Sequence, residues 1–177
     1  VLHNRAHSPF CAQQRLYDMT DAYAFRTGTL ADTEAIVHHR AAMFADMGVG
    51  TADERAAMSG HFRPWLRAAL QDGSYLAVFA HPAGQPDQVV AGAGLRILDW
   101  PPGMFYPEQR RGYLLNVYTE PEHRHRGLAR RLVERCMAEC SARGIGILSL
   151  HASEFGRPLY LSLGFTPTNE MRITLNP

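Results

Sequence analysis

Lysine is missing from this chain altogether: all 18 basic side chains other than histidine are arginine. That excludes a lysine as catalytic base or Schiff-base former. Cysteine is scarce, with only Cys11, Cys136 and Cys140 and no framework spacing. An odd number without pattern argues against a disulfide scaffold. Cys136 and Cys140 stand four apart on what reads as one apolar helix face, so they are expected as small buried core residues. A zinc site would need two more ligands at sensible spacing, and the sequence supplies none, so no metal is expected. No apolar run approaches the roughly 18 residues of a membrane span. The first residues lack the apolar core of a secretory signal, which makes the cytoplasm the default expectation, with no membrane partner. Excess charge is missing too: the formal net charge is +1, which argues neither for nor against a nucleic-acid partner.

What is present reads as an ordinary globular chain of 177 residues, 46% apolar and 20% charged, long enough for one domain with a sizeable core. Residues 1–18 have no clean periodicity, whereas Met19-Thr20-Asp21 looks like a natural start. Residues 1–20 are therefore expected to be an N-terminal extension, disordered or non-native, and residues 21–177 a single domain.

Within that domain, residues 23–26 alternate as a strand and residues 31–44 carry helical periodicity after a helix start at 29–32. A second helix spans about 52–70, with Pro64 as an expected interruption. Strands are expected at 75–80 and 88–98, the latter with Gly92 and Gly94 as bulge points. A long loop covers 100–111, and a central strand follows at 114–119. Apolar residues at 128, 129, 132, 133, 136, 137 and 140 form one helix face, with Arg130, Arg131, Glu134 and Arg135 turned away from it. Acidic residues interspersed with those arginines argue against nucleic acid. A short strand at 147–151, a helix at 154–163 interrupted by Gly156 and Pro158, and a last strand at 171–175 complete the series. His38-His39 lies in a helical pattern without metal-ligand spacing and is expected at solvated or cap positions.

The most informative stretch is Arg124-His125-Arg126-Gly127-Leu128-Ala129, a basic turn with a glycine between an apolar strand and an amphipathic helix. The first N–H groups of a helix have no internal partner, and the dipole adds partial positive charge there. A phosphate suits such a place. Gly127 permits close approach, and Arg124 and Arg126 can add charge-assisted hydrogen bonds.

Two motifs then resemble the GNAT superfamily of acyl-CoA-dependent N-acyltransferases. The first is Val117-Tyr118-Thr119-Glu120-Pro121-Glu122-His123 followed by Arg124-x-x-Gly127-x-Ala129, with Ala where Gly is more usual. The second is Ser153-Glu154-Phe155-Gly156-Arg157-Pro158-Leu159-Tyr160 followed by Gly164-Phe165. The resemblance covers 114–165; the first half of the chain matches only in element order. It implies an α/β (α+β) fold: a mixed, mostly antiparallel twisted sheet flanked by helices, whose fourth and fifth strands run parallel and splay apart. It makes residues 21–177 an N-acetyltransferase domain, with acetyl-CoA as cosubstrate wedged into the splay.

The resemblance further implies a bulge near 117–119, main-chain contacts from Val117 and Thr119 to the acetyl-pantetheine end, and a pyrophosphate held by Arg124, His125, Arg126, Gly127, Leu128 and Ala129. Ser153 stands where the family often has an Asn touching pantetheine. Tyr160 is the implied general acid for the departing thiolate. His123 and Arg130 are expected in solvent or at the adenosine phosphate end. Some members place a base Glu early in the central strand, but Tyr113 occupies that position here. Glu120, His151 and a water chain stay open as base, and Asn116 could orient a water or the substrate. The acceptor pocket is expected between Phe44, Asp46 and Met47 and the aromatic loop of Trp100, Met104, Phe105 and Tyr106. The implied activity is acetyl transfer to a primary amine of a small molecule or peptide by direct attack in a ternary complex. The alternative is a non-catalytic acyl-CoA-binding sensor or interaction domain. Members often dimerise, so a homodimer is an expectation of the resemblance alone.

Overall fold

The computed structural model describes residues 22–175; the expected extension at 1–20, and Cys11 with it, lies outside the described residues. Five strands and four helices follow one another. They are β1 (Tyr23–Thr27), α1 (Thr33–Asp46), α2 (Ala52–Gln71), β2 (Tyr75–Pro82), β3 (Ala91–Asp99), β4 (Arg110–Thr119), α3 (Leu128–Ala142), β5 (Leu148–Leu150) and α4 (Arg157–Ser162), with short 3-10 turns at Leu30–Asp32 and Pro121–His123. The sheet order is β1-β2-β3-β4-β5. The first three pairings are antiparallel and β4 pairs β5 in parallel. The expected mixed sheet is the one observed.

Strand β2 explains why both sheet faces are covered. Tyr75, Ala77 and Phe79 join Ile36, Val37, Phe62 and Leu66 in a core under α1 and α2. Val78 and Ala80 join Leu95, Leu114, Leu128, Leu132, Val133, Cys136 and Cys140 in a second core under α3. A strand buried on both faces reads as a continuous apolar run because each side of the pleat needs its own apolar set. Cys136 and Cys140 are buried core residues, as expected, and burial pushes the Cys136 thiol up to about 12.

Three local expectations are corrected. Pro64 does not interrupt α2, which continues to Gln71. Both Pro64 and Gly60, whose carbonyl loses its helical donor, are exposed, so the lost bond is not a buried one. Residues 171–175 are not a strand; they lie outside the sheet and are exposed. His39 is not solvated: it is 2% exposed beneath the sheet, while the neighbouring His38 is exposed.

The pairing of β4 with β5 covers only Gly112–Leu114 against Leu148–Leu150. Strand β4 then runs on through residues 115–119 with β3 alone. The bulge sits at the point of separation. Leu115 faces Gly94 and Tyr118 faces Gly92, so β4 carries one extra residue there. Asn116 takes it up with a φ of 54°, a left-handed conformation that asparagine tolerates better than most residues.

Candidate active site

The opening is lined on one side by residues 115–119 of β4. Beyond its end, the main chain is turned by positive φ at His125 (60°) and Gly127 (73°) before α3 begins. Such turns aim successive N–H groups to one side, a concavity suited to anions. None of the main-chain N–H groups from His125 to Arg130 finds an acceptor among the described residues. Gly127 is the N-cap residue, and nothing lies within 4 Å of where its Cβ would be. The turn therefore offers a cluster of unspent donors at the positive end of a 15-residue helix. A diphosphate fits that donor set.

The arginines divide their work. Arg124 donates through Nε to the Thr119 carbonyl at 3.0 Å and through Nη2 to Asp46 at the end of α1. These two bonds tie the turn to β4 and α1. Arg126 reaches the Glu122 carbonyl at 3.2 Å and is otherwise exposed. Arg130 bonds Ser162 Oγ at 2.6 Å, tying α3 to α4. His123 Nδ1 meets the Tyr23 hydroxyl at 2.7 Å, so it braces β1 and does not face solvent freely. Leu128 is buried and contributes only its main chain to the turn, while Ala129 is half-buried.

Tyr160 lies on α4, half-buried against the α3 core, with its ring edge-on to Phe165 at 5.8 Å. Its hydroxyl has no hydrogen-bond partner among the described residues. Burial, helped by the nearby Cys136, raises its pKa above the ordinary phenol value. A phenol kept protonated can donate a proton to a strong anion such as a thiolate. Ser153 accepts the Gly156 N–H through Oγ at 3.1 Å and so shapes the entry to α4, leaving its own hydroxyl proton to donate.

Asn116, expected to orient water or substrate, has both ends of its amide engaged. It accepts from Arg40 and donates to the Tyr75 hydroxyl at 2.9 Å. The Arg40 guanidinium is flanked by the Phe44 and Phe62 rings, at 5.0 and 4.7 Å. Of the base candidates, Glu120 is bonded by His38 at 2.9 Å with His39 at 3.7 Å. His151 lies just past β5 with Nδ1 against the Tyr113 hydroxyl. The two halves of the expected acceptor pocket are not brought together. Asp46 sits with Arg124 past the C-terminal end of β4, whereas Trp100 stacks on Arg111 near its N-terminal end at 4.0 Å. Most of the length of β4 lies between them. Arg40 and Tyr75, and the grouping of Asn116 with them and of Glu120 with His38 and His39, are what sequence reasoning missed. The members of these groups lie up to 82 positions apart, so no local pattern marks them. No group of side chains among the described residues could hold a metal ion, and no helix among them is long and apolar enough to cross a membrane.

The acetyltransferase (GNAT) family model matches residues 38–165. A GCN5-related N-acetyltransferase from Ralstonia eutropha JMP134 is 40% identical, with a TM-score of 0.80 over 86% of this chain and 98% of that one. A predicted acetyltransferase from Clostridium acetobutylicum, solved with acetyl-CoA, is 27% identical, with a TM-score of 0.77 over 87% and 96% of the two chains. A ribosomal-protein-alanine N-acetyltransferase from Brucella melitensis biovar Abortus 2308 is 19% identical, with a TM-score of 0.63 over 88% and 99%, a likeness of fold alone. No curated protein matches the chain.

Proposed function

The chain belongs to the GNAT acetyltransferase family, and from that premise we propose that it moves an acetyl group from acetyl-CoA to a primary amine of a small molecule or peptide, by direct attack in a ternary complex. The observation that carries the reading is the end of β4–β5 pairing at Leu114 and Leu150, on a strand that leads straight into a turn of unpartnered N–H groups. The pantetheine amides take up the strand edge that β5 leaves open, as a peptide would. The pyrophosphate takes the N–H groups of residues 125–129. Main-chain groups of Val117 and Thr119 meet the acetyl end, with one N–H aimed at the thioester oxygen as it gains charge.

The amine nitrogen attacks the thioester carbon, the C–S bond breaks, and the coenzyme leaves as a thiolate. Tyr160 gives that sulfur its proton and is reprotonated from solvent. The amine's own proton goes to water, to Glu120 or to His151; each of the two side chains already holds one hydrogen bond, Glu120 with His38 and His151 with Tyr113. The absence of any nucleophile elbow in the sequence fits direct transfer and not a covalent acyl-enzyme. The free, buried Cys136 and Cys140 suit a reducing cytoplasm.

One feature favours the second reading, a non-catalytic acyl-CoA sensor: Tyr113 stands where a strand carboxylate would serve as base. Acetyl-CoA turnover over a broad amine panel, read by free thiol release, separates the two. Thiol release with at least one amine supports the transferase. Coenzyme binding with no turnover on any amine supports the sensor.

A further inference from the structure

The face of β4 that looks away from α3 is set with arginines. Gly112 faces α3, since a Cβ there would meet Cys140 and Leu148, and Leu114 packs in the core under α3. Side chains alternate along a strand, so Arg111, Tyr113 and Leu115 share the opposite face. Leu115 joins the core under α1 and α2, and it is the first residue past the end of the β4–β5 pairing. The β3 neighbour of Tyr113 is Arg96, which lies over the Trp65 ring at 5.2 Å and donates to Ser74. Arg40 reaches down from α1 to Asn116.

Arg40 and Arg96 each give a hydrogen bond to the protein. Arg111 gives none among the described residues, although its Nε is buried. Its guanidinium lies over the Trp100 ring at 4.0 Å. An arginine stacked in this way keeps its N–H groups at the edge of its plane, where a carboxylate or phosphate accepts two parallel bonds. Arg111 lines a cleft with Trp100, Tyr106, Glu108, Arg110 and Ile147. The cleft's free volume of about 60 Å³ is several times what one water needs. Arg110 donates to the Arg143 carbonyl at 3.1 Å, and Glu108 has no ion pair among the described residues. Two guanidinium groups against one carboxylate leave the cleft positive. A buried donor without an acceptor is costly, so the cleft is short of an anion.

We propose that the acceptor is an amine bearing its own carboxylate or phosphate, and that Arg111 takes this group while the amine lies at the opening of the sheet. The inference rests on the transferase reading and names the class of acceptor. Leu115 and Arg111 are four residues apart on one strand, roughly 13 Å at about 3.3 Å per residue. The anionic group therefore stands several bonds from the amine, as at the C-terminus of a short peptide, and not on the adjacent carbon as in an α-amino acid. The same arginines repel a polyamine.

The test arranges amines in charge sets: tri- and tetrapeptides as free acids and as C-terminal amides, aminoalkyl phosphates beside the parent amino alcohols, and polyamines. Thiol release is expected to be fastest with an anionic member, and the set that holds it tells carboxylate from phosphate. Its neutral counterpart is expected to lose roughly 10- to 100-fold in kcat/KM, mostly through KM. Arg111→Gln is expected to abolish that difference, with CoA affinity by calorimetry showing the fold retained. Arg111→Lys, which keeps the charge without the paired N–H groups, is expected to fall between. Neutral or cationic amines that react as fast as anionic ones, or an anion preference that Arg111→Gln leaves intact, would overturn the inference and leave the transferase reading standing. Coenzyme binding with no turnover on any amine would overturn both.

Discussion

Arg40 donates through Nη1 to Oδ1 of Asn116 at 2.7 Å, joining α1 to the residue that forms the bulge in β4. Because Asn116 also donates to Tyr75 and holds a positive φ, one side chain sets where β4 leaves β5. Asn116 is 4% exposed and Tyr75 1%, so neither partner can turn to water if the other is lost.

Asn116→Ala is therefore expected to destabilise the fold by about 2–4 kcal/mol, from an unpaired buried hydroxyl, a lost partner for a half-buried guanidinium, and strain at the left-handed position. Asn116→Gly, which relieves only the strain, is expected to be less damaging. Urea unfolding measures both. A change below about 0.5 kcal/mol for the alanine variant, the range of an ordinary surface substitution, would show that the bulge is held by something else.

Gly127→Asp places negative charge where the N–H groups converge. A fall in CoA affinity of tenfold or more is expected by calorimetry, with only the modest loss of thermal stability that a side chain at φ 73° brings, since no atom lies within 4 Å of the added Cβ. Gly127→Ala shares the strain of φ 73° but not the charge, and is expected to lose less affinity. Equal losses for the two would put the effect on the backbone and not on an anion.

Tyr160→Phe is expected to lower kcat by roughly 10²–10⁴, the usual range for a lost acid, with CoA affinity nearly unchanged. Burial raises the pKa of this phenol, so the wild-type rate is expected to hold past the ordinary tyrosine value of about 10 before it falls. Parallel loss of turnover and CoA affinity would instead mark a packing role against Phe165.

His39 has its pKa lowered to about 4, by burial first and by the neighbouring His38 second. The Glu120 carboxylate at 3.7 Å pulls the other way, but burial prevails. The folded chain therefore keeps this ring neutral while the unfolded chain protonates it below about 6.5. Its contribution is complete above pH 6.5, is lost as pH falls toward 4, and amounts to about 3 kcal/mol at most. His39→Gln is expected to flatten that part of the stability profile in urea titrations at stepped pH. An unchanged acid slope would assign it to other groups.

Much of the site could be read locally. Strand, basic turn and amphipathic helix around Gly127 depend on neighbours in the chain, as do the periodicity of 128–140 and the helical setting of Tyr160. The errors arose where distant residues decide. That Asp46, 78 positions earlier, pairs with Arg124 could not be read from the turn alone. His39 reads as solvated because helical spacing does not say which face a sheet will cover. Pro64 reads as a break because the sequence does not say that this part of the helix is exposed. Residues 171–175 have a strand's alternation, but alternation names no partner.

By itself the sequence determined the element order, the apolar faces, and a turn whose N–H groups cannot be satisfied by its own helix, because these follow from periodicity and backbone geometry over a few residues. Tertiary structure alone decided where β4 parts from β5, which charges hold the turn, and which histidine is dry. Those depend on contacts between segments tens of residues apart, and only packing brings such segments together.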